Sequence, residues 1–204
     1  WTTGETEIVD NLFKTFIEVP TLMLKAKKPW VISVLWDNAG AGRFDNDHYY
    51  VITGETHNSP SNMEAYGGAI TGIVGVYRDP LGTGKGSKLV MGSYGYCVGP
   101  RDYDGDLKPH LHPRRLLDGV IEGVRDGGNK SGIPTTFGQV LFHPGYLGKC
   151  LVFVTAVGMM PAEINGTPAE KKRTSAGELV IMCGGRVGKD GIHGVTASSE
   201  IFSE

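Results

Sequence analysis

Apolar positions along the chain fall into two kinds of segment. β-Branched and aromatic runs predict strands over residues 30–36, 49–53, 88–97, 140–142, 151–157 and 178–183. Apolar residues at helical spacing predict helices over residues 11–17, 68–77 and 113–126. The pattern therefore predicts a mixed α and β chain.

The ends of these elements follow from local signals. The run at 30–36 (WVISVLW) carries almost no polar residue, so we expect a buried strand there. We expect the helix over 11–17 to end before Pro20. The helix over 113–126 is expected to stop at Gly127-Gly128-Asn129. The polar stretch 165–177 is interpreted as a linker, with a domain boundary near residue 170.

Glycine is enriched, with 31 of the 204 residues, about twice the usual share of about 7%. Glycines inside the predicted helix 68–77 lower its intrinsic propensity. We therefore expect them to allow close approach to a strand or a ligand, and interpret the enrichment as a mark of a phosphate-handling site. With 20 basic and 22 acidic residues the net charge is −2, so no general attraction to nucleic acid or to a membrane surface is expected.

The three cysteines, Cys97, Cys150 and Cys183, lie far apart and form no CxxC pair. This spacing favours neither a disulfide framework nor a zinc site, and it favours a reducing, cytoplasmic location. No apolar run approaches the ~18 residues that a membrane span needs. Since the chain begins with Trp1 rather than Met, we interpret it as a piece of a longer protein.

Candidate chemistry is concentrated between residues 55 and 79. The end of a predicted strand brings together an acid, a base and three hydrogen-bonding groups, namely Glu55, Thr56, His57, Asn58 and Ser59. Arg78 and Asp79 follow the glycine-rich helix. Glu55 and Asp79 could share one Mg²⁺, which prefers oxygen ligands. Arg78 suits a phosphate, and His57 beside a carboxylate suits a general base.

A second glycine-rich segment spans residues 82–88 (GTGKGSK) and does not fit the phosphate-loop pattern GxxxxGK[ST]. Its backbone amides could still wrap a nucleotide phosphate, with Gly82, Gly84, Lys85 and Gly86 as the binding residues. A mobile, solvated loop is an equally good interpretation of this composition.

The sequence ETHNSPSNMEAYGGAITGIVGVYRDPLGTG resembles the signature of the synthetase part of phosphoribosylformylglycinamidine synthase. Three more blocks agree in the same order: HPRRLLDGVIEGVRDGGNKSGIPTTFGQVLF, YLGKCLVFVTAVGMMP and GGRVGKDGIHGVTASSE. The resemblance runs from about Asp37 onward, and so covers most of the chain.

This resemblance implies an α+β fold, the N-terminal ATP-binding domain of the aminoimidazole ribonucleotide synthetase-like superfamily. Such a domain has a mixed or antiparallel sheet with helices on one face, and its strands pair into a dimeric or pseudo-dimeric barrel. It would occupy residues 1–170, and residues 171–204 would be the truncated beginning of a C-terminal α/β domain.

The implied enzyme is an ATP-dependent carbon–nitrogen ligase of de novo purine biosynthesis. It converts formylglycinamide ribonucleotide to formylglycinamidine ribonucleotide with ammonia from a glutaminase subunit or domain. By resemblance, Glu55 and Asp79 bind Mg²⁺ and His57 accepts a proton. The implied substrate contacts are Thr56, Asn58, Ser59 and Arg78. Ser59 and Thr53 depart from the His and the nucleotide-contacting Lys of many relatives, and we expect this chain alone to be inactive.

Two alternatives remain open at this point. One is a related ATP-dependent synthetase or kinase, acting on aminoimidazole ribonucleotide, selenophosphate or thiamine phosphate. The other is a non-catalytic structural copy of the domain. The ETHN motif with its distant Arg-Asp pair favours the purine enzyme, and the presence of Glu55, His57, Arg78 and Asp79 argues against a structural copy.

Overall fold

The fold is centred on one six-stranded sheet. It is described by a computed structural model, which covers residues 8–186 together with residues 4, 6 and 188. The strands of the chain are β1 (Val31–Ser33), β2 (Gly40–Arg43), β3 (His48–Thr56), β4 (Lys88–Val98), β5 (Thr135–Phe142), β6 (Leu151–Pro161), β7 (Glu163–Ile164) and β8 (Thr167–Pro168). The helices are a π-helix (Lys14–Glu18), α1 (Val19–Lys27), α2 (Asn58–Met63), α3 (Ala65–Thr83), α4 (Pro113–Ser131) and a 3₁₀ turn (Pro144–Tyr146).

The large sheet has the strand order β1-β2-β3-β6-β4-β5, and β7 pairs separately with β8. Within the large sheet β4 and β5 are parallel, and the other neighbours are antiparallel. Helices α3 and α4 pack on one face, where their apolar residues form the main core with β4 and β6. The predicted α+β fold, with a mixed sheet and helices on one face, is confirmed.

Close helix packing explains several glycines. A Cβ atom on Gly68 of α3 would lie 2.4 Å from the backbone of Pro60 and Ser61 in α2, and one on Gly123 of α4 would lie 2.5 Å from the carbonyl oxygen of Tyr66. Only glycine allows such contacts. The helix predicted over 68–77 is confirmed and extends over Ala65–Thr83. At Gly68 the close approach is to protein backbone, so the enrichment is not simply a mark of a phosphate site.

The predicted stop of α4 at Gly127-Gly128-Asn129 is wrong. Gly127 and Gly128 are buried inside the helix, where a Cβ on Gly127 would lie 2.9 Å from Ile73. The helix ends instead at Gly132, whose φ of 72° is left-handed and whose N–H bonds to the carbonyl of Gly128 at 3.0 Å.

The predicted end of the first helix before Pro20 is also wrong. The π-helix continues directly into α1, which runs to Lys27. Pro20 lies at the start of α1, directly after the π-helix. Neither helical segment has a buried residue.

The buried strand predicted over 30–36 is shorter and more exposed than expected. Only Val31–Ser33 pairs, and Trp30 and Trp36 are 50% and 85% exposed. Because β1 is an edge strand at the end of the sheet, it has a neighbour on one side only. Leu35, with a φ of 55°, turns the chain away from the ladder.

The C-terminal predictions have mixed outcomes. The strand predicted over 178–183 is absent: those residues form no ladder with the described part of the chain, and Leu179 to Met182 are largely exposed. The predicted linker 165–177 includes β8 but is otherwise irregular. Residues 187 and 189–204 lie outside the described residues, as does most of the last block of the resemblance. The domain boundary near 170 stays a prediction. Among the described residues, none of the helices combines the length and the hydropathy that a membrane span requires.

Candidate functional site

Two carboxylates meet where the end of β3 passes under α3. Side chains of β3 alternate between the faces of the sheet, and those of Val51, Thr53 and Glu55 point toward the helices. Asp79 lies inside α3 and not after the helix as predicted. Its side chain is only 2% exposed, and its carboxyl group lies close enough to that of Glu55 to raise the pKa of Glu55. The predicted pair from opposite ends of the 55–79 segment is therefore assembled by the fold.

The electrostatics of this pair favour a bound cation. The hydrogen bond to Asp79, followed by burial and the negative charge of Asp79, raises the pKa of Glu55. Asp79 Oδ1 accepts from Asn38 Nδ2 at 3.4 Å and from Arg78 Nη2 at 3.3 Å. Its Oδ2 is buried without a hydrogen-bond partner among the described residues. A buried carboxylate oxygen that accepts no hydrogen bond needs another partner. A cation such as Mg²⁺ supplies one, because carboxylate oxygens are among its usual ligands.

The carboxylate oxygens of Glu55 and Asp79 suit Mg²⁺ as ligands. No group of three or more His, Cys, Asp or Glu side chains within the described range could enclose a metal ion. Mg²⁺ is commonly held by one or two carboxylates, with water and substrate phosphates completing its shell. Glu55 and the free Oδ2 of Asp79 supply that minimum.

A turn that sequence reasoning did not connect with the site supports Asp79. The hydroxyl of Thr53 donates to the carbonyl of Asn38 at 2.8 Å, and Asn38 in turn donates to Asp79. Lys172 bonds to the neighbouring Asp37, and this hydrogen bond is the largest of the causes that lower the pKa of Asp37. The sequence signal available was the DNAG turn at 37–40, which identified a turn but not its neighbours.

His57 lies at the junction between β3 and α2. The backbone N–H of His57 donates to the carbonyl of Val152 at 2.8 Å, and this bond holds the junction against β6. Burial lowers the pKa of His57, and a backbone hydrogen bond with Gly68 acts in the opposite direction. A Cβ on Gly72 would lie 2.9 Å from the Cβ of His57, so this glycine makes room for the side chain. Nδ1 is buried and unpartnered within the described structure.

The predicted substrate residues are less closely grouped than their spacing suggested. Thr56 is exposed and follows Glu55 in the same strand, so its side chain points to the opposite face of the sheet. Asn58 Oδ1 accepts from the N–H of Val152 at 2.8 Å and ties α2 to β6. Ser59 is half-buried in α2, whereas Arg78 is 74% exposed beside Asp79. Of these, Arg78 lies next to the carboxylate pair.

The loop after α3 is anchored to the β7–β8 hairpin. The N–H of Lys85 donates to the carbonyl of Ala169 at 2.9 Å, so this amide is not available to a phosphate. A Cβ on Gly84 would lie 2.5 Å from the sulfur of Met160, and Gly86 needs its positive φ of 71°. The carbonyl of Gly82 accepts from Lys172. The backbone that was expected to wrap a phosphate is thus used in part for packing, and Lys85 lines a cavity.

Comparison with known proteins agrees with these features. Residues 36–160 match the family described as AIR synthase related protein, N-terminal domain. The phosphoribosylformylglycinamidine synthase subunit PurL of Picrophilus torridus is 37% identical over 172 residues, which are 84% of this chain and 22% of the relative. That of Thermoplasma volcanium is 37% identical over 174 residues, 85% of this chain and 22% of the relative. The chain thus spans about a fifth of the length of these relatives.

Solved structures agree as well. Thermotoga maritima PurL complexed with FGAR (formylglycinamide ribonucleotide) is 28% identical, with a TM-score of 0.52 over 67% of this chain and 20% of that one. The same protein complexed with ATP is 26% identical, with a TM-score of 0.51 over 72% of this chain and 24% of that one. The resemblance read from the four sequence blocks is confirmed. The chain belongs to the AIR synthase related protein family, whose N-terminal domain is matched by its residues 36–160.

Proposed function

We propose that this chain supplies the Mg-ATP and substrate-binding domain of a formylglycinamidine ribonucleotide synthase. The observation that carries the proposal is the proximity of Glu55 to the buried carboxylate of Asp79, one oxygen of which has no hydrogen-bond partner among the described residues. The relatives support it, since they are named as PurL subunits. Solved PurL complexes with FGAR and with ATP give the ligand class.

In the proposed reaction the formamide oxygen of the substrate attacks the γ-phosphorus of ATP, and ADP leaves. Ammonia then adds to the activated carbon and inorganic phosphate leaves. Mg²⁺ at Glu55 and Asp79 would supply neutralisation of the phosphate charge. Arg78, exposed beside the pair, orients a phosphate through its planar guanidinium. Positioning and charge neutralisation supply most of the rate enhancement in such transfers.

His57 is proposed as the proton acceptor during amidine formation. Because burial lowers its pKa, the imidazole is neutral near pH 7 and can take a proton. His57 packs against Gly72, seven residues before Asp79 on α3. Seven helical residues span about 10 Å, a distance that one extended phosphorylated substrate can bridge.

The exposed face of the sheet supports the proposed assembly. Apolar side chains on this face are largely exposed: Ile52 at 48%, Phe137 at 59%, Leu141 at 51% and Phe153 at 41%. Contiguous apolar surface of this kind marks an interaction site. We propose that a second sheet of the same fold covers it, as a homodimer or a pseudo-dimer, and that a glutaminase subunit or domain delivers the ammonia.

The remaining parts of the proposal concern the isolated chain and its setting. Because the chain spans 22% of its relatives, the proposed enzyme needs further polypeptide and the chain alone has no turnover. The three cysteines are free, and a reducing cytoplasmic location is the proposal that fits this usage.

Thermal melting of the chain with candidate substrates and Mg-ATP tests the proposed function. We expect formylglycinamide ribonucleotide to raise the melting temperature, and thiamine phosphate and aminoimidazole ribonucleotide to leave it unchanged. Arg78→Ala should remove the shift, whereas Arg101→Ala, at an exposed site away from the pair, should keep it. A larger shift with thiamine phosphate, or ATP- and ammonia-dependent turnover by the chain alone, would contradict the proposal.

A further inference from the structure

The two oxygens of the Asp79 carboxylate have different surroundings. Oδ1 accepts from Asn38 Nδ2 at 3.4 Å and from Arg78 Nη2 at 3.3 Å, whereas Oδ2 is buried without a hydrogen-bond partner among the described residues. The last torsion of an aspartate side chain has a broad energy minimum. The donors to Oδ1 therefore fix the plane of the carboxyl group, and with it the direction in which Oδ2 points.

The two donors to Oδ1 differ in what they can do once a cation is bound. Arg78 is 74% exposed, and its positive charge repels a cation held by the same carboxylate. It is also the residue proposed above to orient a phosphate. The amide of Asn38 is neutral and has neither disadvantage. Asn38 is therefore the donor that can stay on Asp79 when both ligands are present.

The turn that carries Asn38 is fixed from two sides. The hydroxyl of Thr53 in β3 donates to the carbonyl of Asn38 at 2.8 Å. From the other side, Lys172 bonds both to Asp37 and to the carbonyl of Gly82 near the end of α3. The turn is thus held to the strand that carries Glu55 and to the helix that carries Asp79.

Thr53 is placed to act on both members of the carboxylate pair. It is only 7% exposed, and a buried hydroxyl requires an acceptor, which the carbonyl of Asn38 supplies. Residues two apart in a strand share a face, so Thr53 lies beside Glu55 on the face under the helices. Thr53 stands where many relatives have a nucleotide-contacting Lys, so the resemblance assigns it no role of this kind.

We propose that Asn38 is a positioning residue that directs Oδ2 of Asp79 toward a bound cation, and that Thr53 holds Asn38 in place for this purpose. The identification of the cation as Mg²⁺ rests on the proposed function. The orientation of the Asp79 carboxylate does not, because it is set by contacts within the chain.

Titration of the full chain with Mg²⁺ alone, followed through the backbone amide resonance of Glu55, tests the proposal. Asn38→Leu removes the donor and should weaken Mg²⁺ binding by about tenfold, the usual cost of losing a hydrogen bond to a metal ligand. Thr53→Val keeps the shape of the side chain but removes the hydroxyl, and should weaken binding by about threefold or more. Thr53→Ser restores the hydroxyl and should restore the affinity.

Thr155→Val is the matched control for Thr53→Val. The hydroxyl of Thr155 also donates to a backbone carbonyl, that of Ser93 at 2.5 Å, but it lies on the face of the sheet without helices. This variant should bind Mg²⁺ as the wild type does. Equal weakening by Thr53→Val and Thr155→Val would overturn the role of Thr53, and wild-type affinity in Asn38→Leu would overturn that of Asn38. Circular dichroism verifies that each variant is folded.

The side-chain amide resonance of Asn38 separates this proposal from the proposed function. In the metal-free chain, Asp79→Asn and Thr53→Val should both move this resonance, whereas Thr155→Val should leave it in place. A resonance that does not respond to Asp79→Asn would overturn the positioning of Asp79, even if the wild type binds Mg²⁺. A wild type that binds no Mg²⁺ but whose Asn38 resonance responds as expected would refute the proposed function and support the orientation of Asp79.

Discussion

The two faces of the sheet are formed by the same strands but differ in how deeply their side chains are buried. On β6, Val152, Val154 and Ala156 are fully buried under the helices, whereas Phe153, between them, is 41% exposed. The covered face also carries Glu55 at the end of β3 and so holds the carboxylate pair. Both faces are apolar, but within the described chain only one has helices packed on it.

This difference shows that apolar alternation alone does not identify a core. A strand with apolar residues on both faces is typical of a sheet covered on both sides. The covered face supplies stability and positions the site, and the open face supplies surface for a further partner. Substitutions placed on the two sides should therefore have different consequences.

The largest effect is expected from glycines on the two sides of α3. Gly68→Ala would place a methyl group 2.4 Å from the backbone of α2, and should destabilise the chain by about 3 kcal/mol. Gly75, on the same helix, has no atom within 4 Å of a built Cβ. Gly75→Ala should therefore stabilise by up to about 1 kcal/mol through helix propensity. Urea denaturation measures both changes, and equal destabilisation by the two variants would refute the close-packing explanation.

Neighbouring residues of β6 compare the two faces directly. Val154→Ala removes buried methyl groups and should cost about 2 kcal/mol. Phe153→Ala should cost less than about 1 kcal/mol in a monomer, because much of this ring is already in water. Phe153→Lys should also abolish self-association in sedimentation velocity, while Phe44→Lys, at an exposed site on another surface, should not. A Phe153→Lys chain that still associates would exclude this face as the interface.

The smallest effect is expected at Glu55 and depends on pH. The folded state raises the pKa of Glu55 above its ordinary value of 4.5, so stability falls as pH rises from that value through the raised one. Glu55→Gln removes this loss, and should stabilise at pH 7 by roughly 0.5 kcal/mol with no gain below about pH 4. Melting curves across this range measure it, with Glu178→Gln as an exposed control. A gain that is independent of pH would contradict the raised pKa of Glu55.

The sequence predicted more of the site than of the boundaries of the fold. Glu55 and Asp79 were expected to act together, and the fold brings their carboxyl groups close to each other, although Asp79 lies inside α3 and not after it. Their role as metal ligands stays a prediction. The Asp37–Asn38 turn was not connected with them, since its contact with Asp79 depends on how the sheet pairs. The Gly127-Gly128 stop failed because local propensity does not reveal that Ile73 of α3 packs against Gly127. The strand at 178–183 failed because a strand needs a partner, which an apolar run does not specify.

The sequence pattern also did not show that neighbouring residues of one motif point in different directions in the fold. Thr56 and Glu55 are adjacent in the ETHN run yet point to opposite faces, and Asn58 uses its side-chain oxygen to hold β6. These separations follow from strand alternation and from backbone hydrogen bonding that only the folded chain shows. The roles proposed for Thr56, Asn58 and Ser59 in substrate binding stay predictions.

Titration of the chain with Mg²⁺, followed by calorimetry in the presence of ATP, tests the central claim that Glu55 and Asp79 form a cation site. The wild type should bind one Mg²⁺ per chain. Asp79→Asn should abolish or greatly weaken this binding while Asp106→Asn, an exposed carboxylate away from the pair, leaves it unchanged. Mg²⁺ binding with the same affinity and stoichiometry in Asp79→Asn and in the wild type would contradict the account.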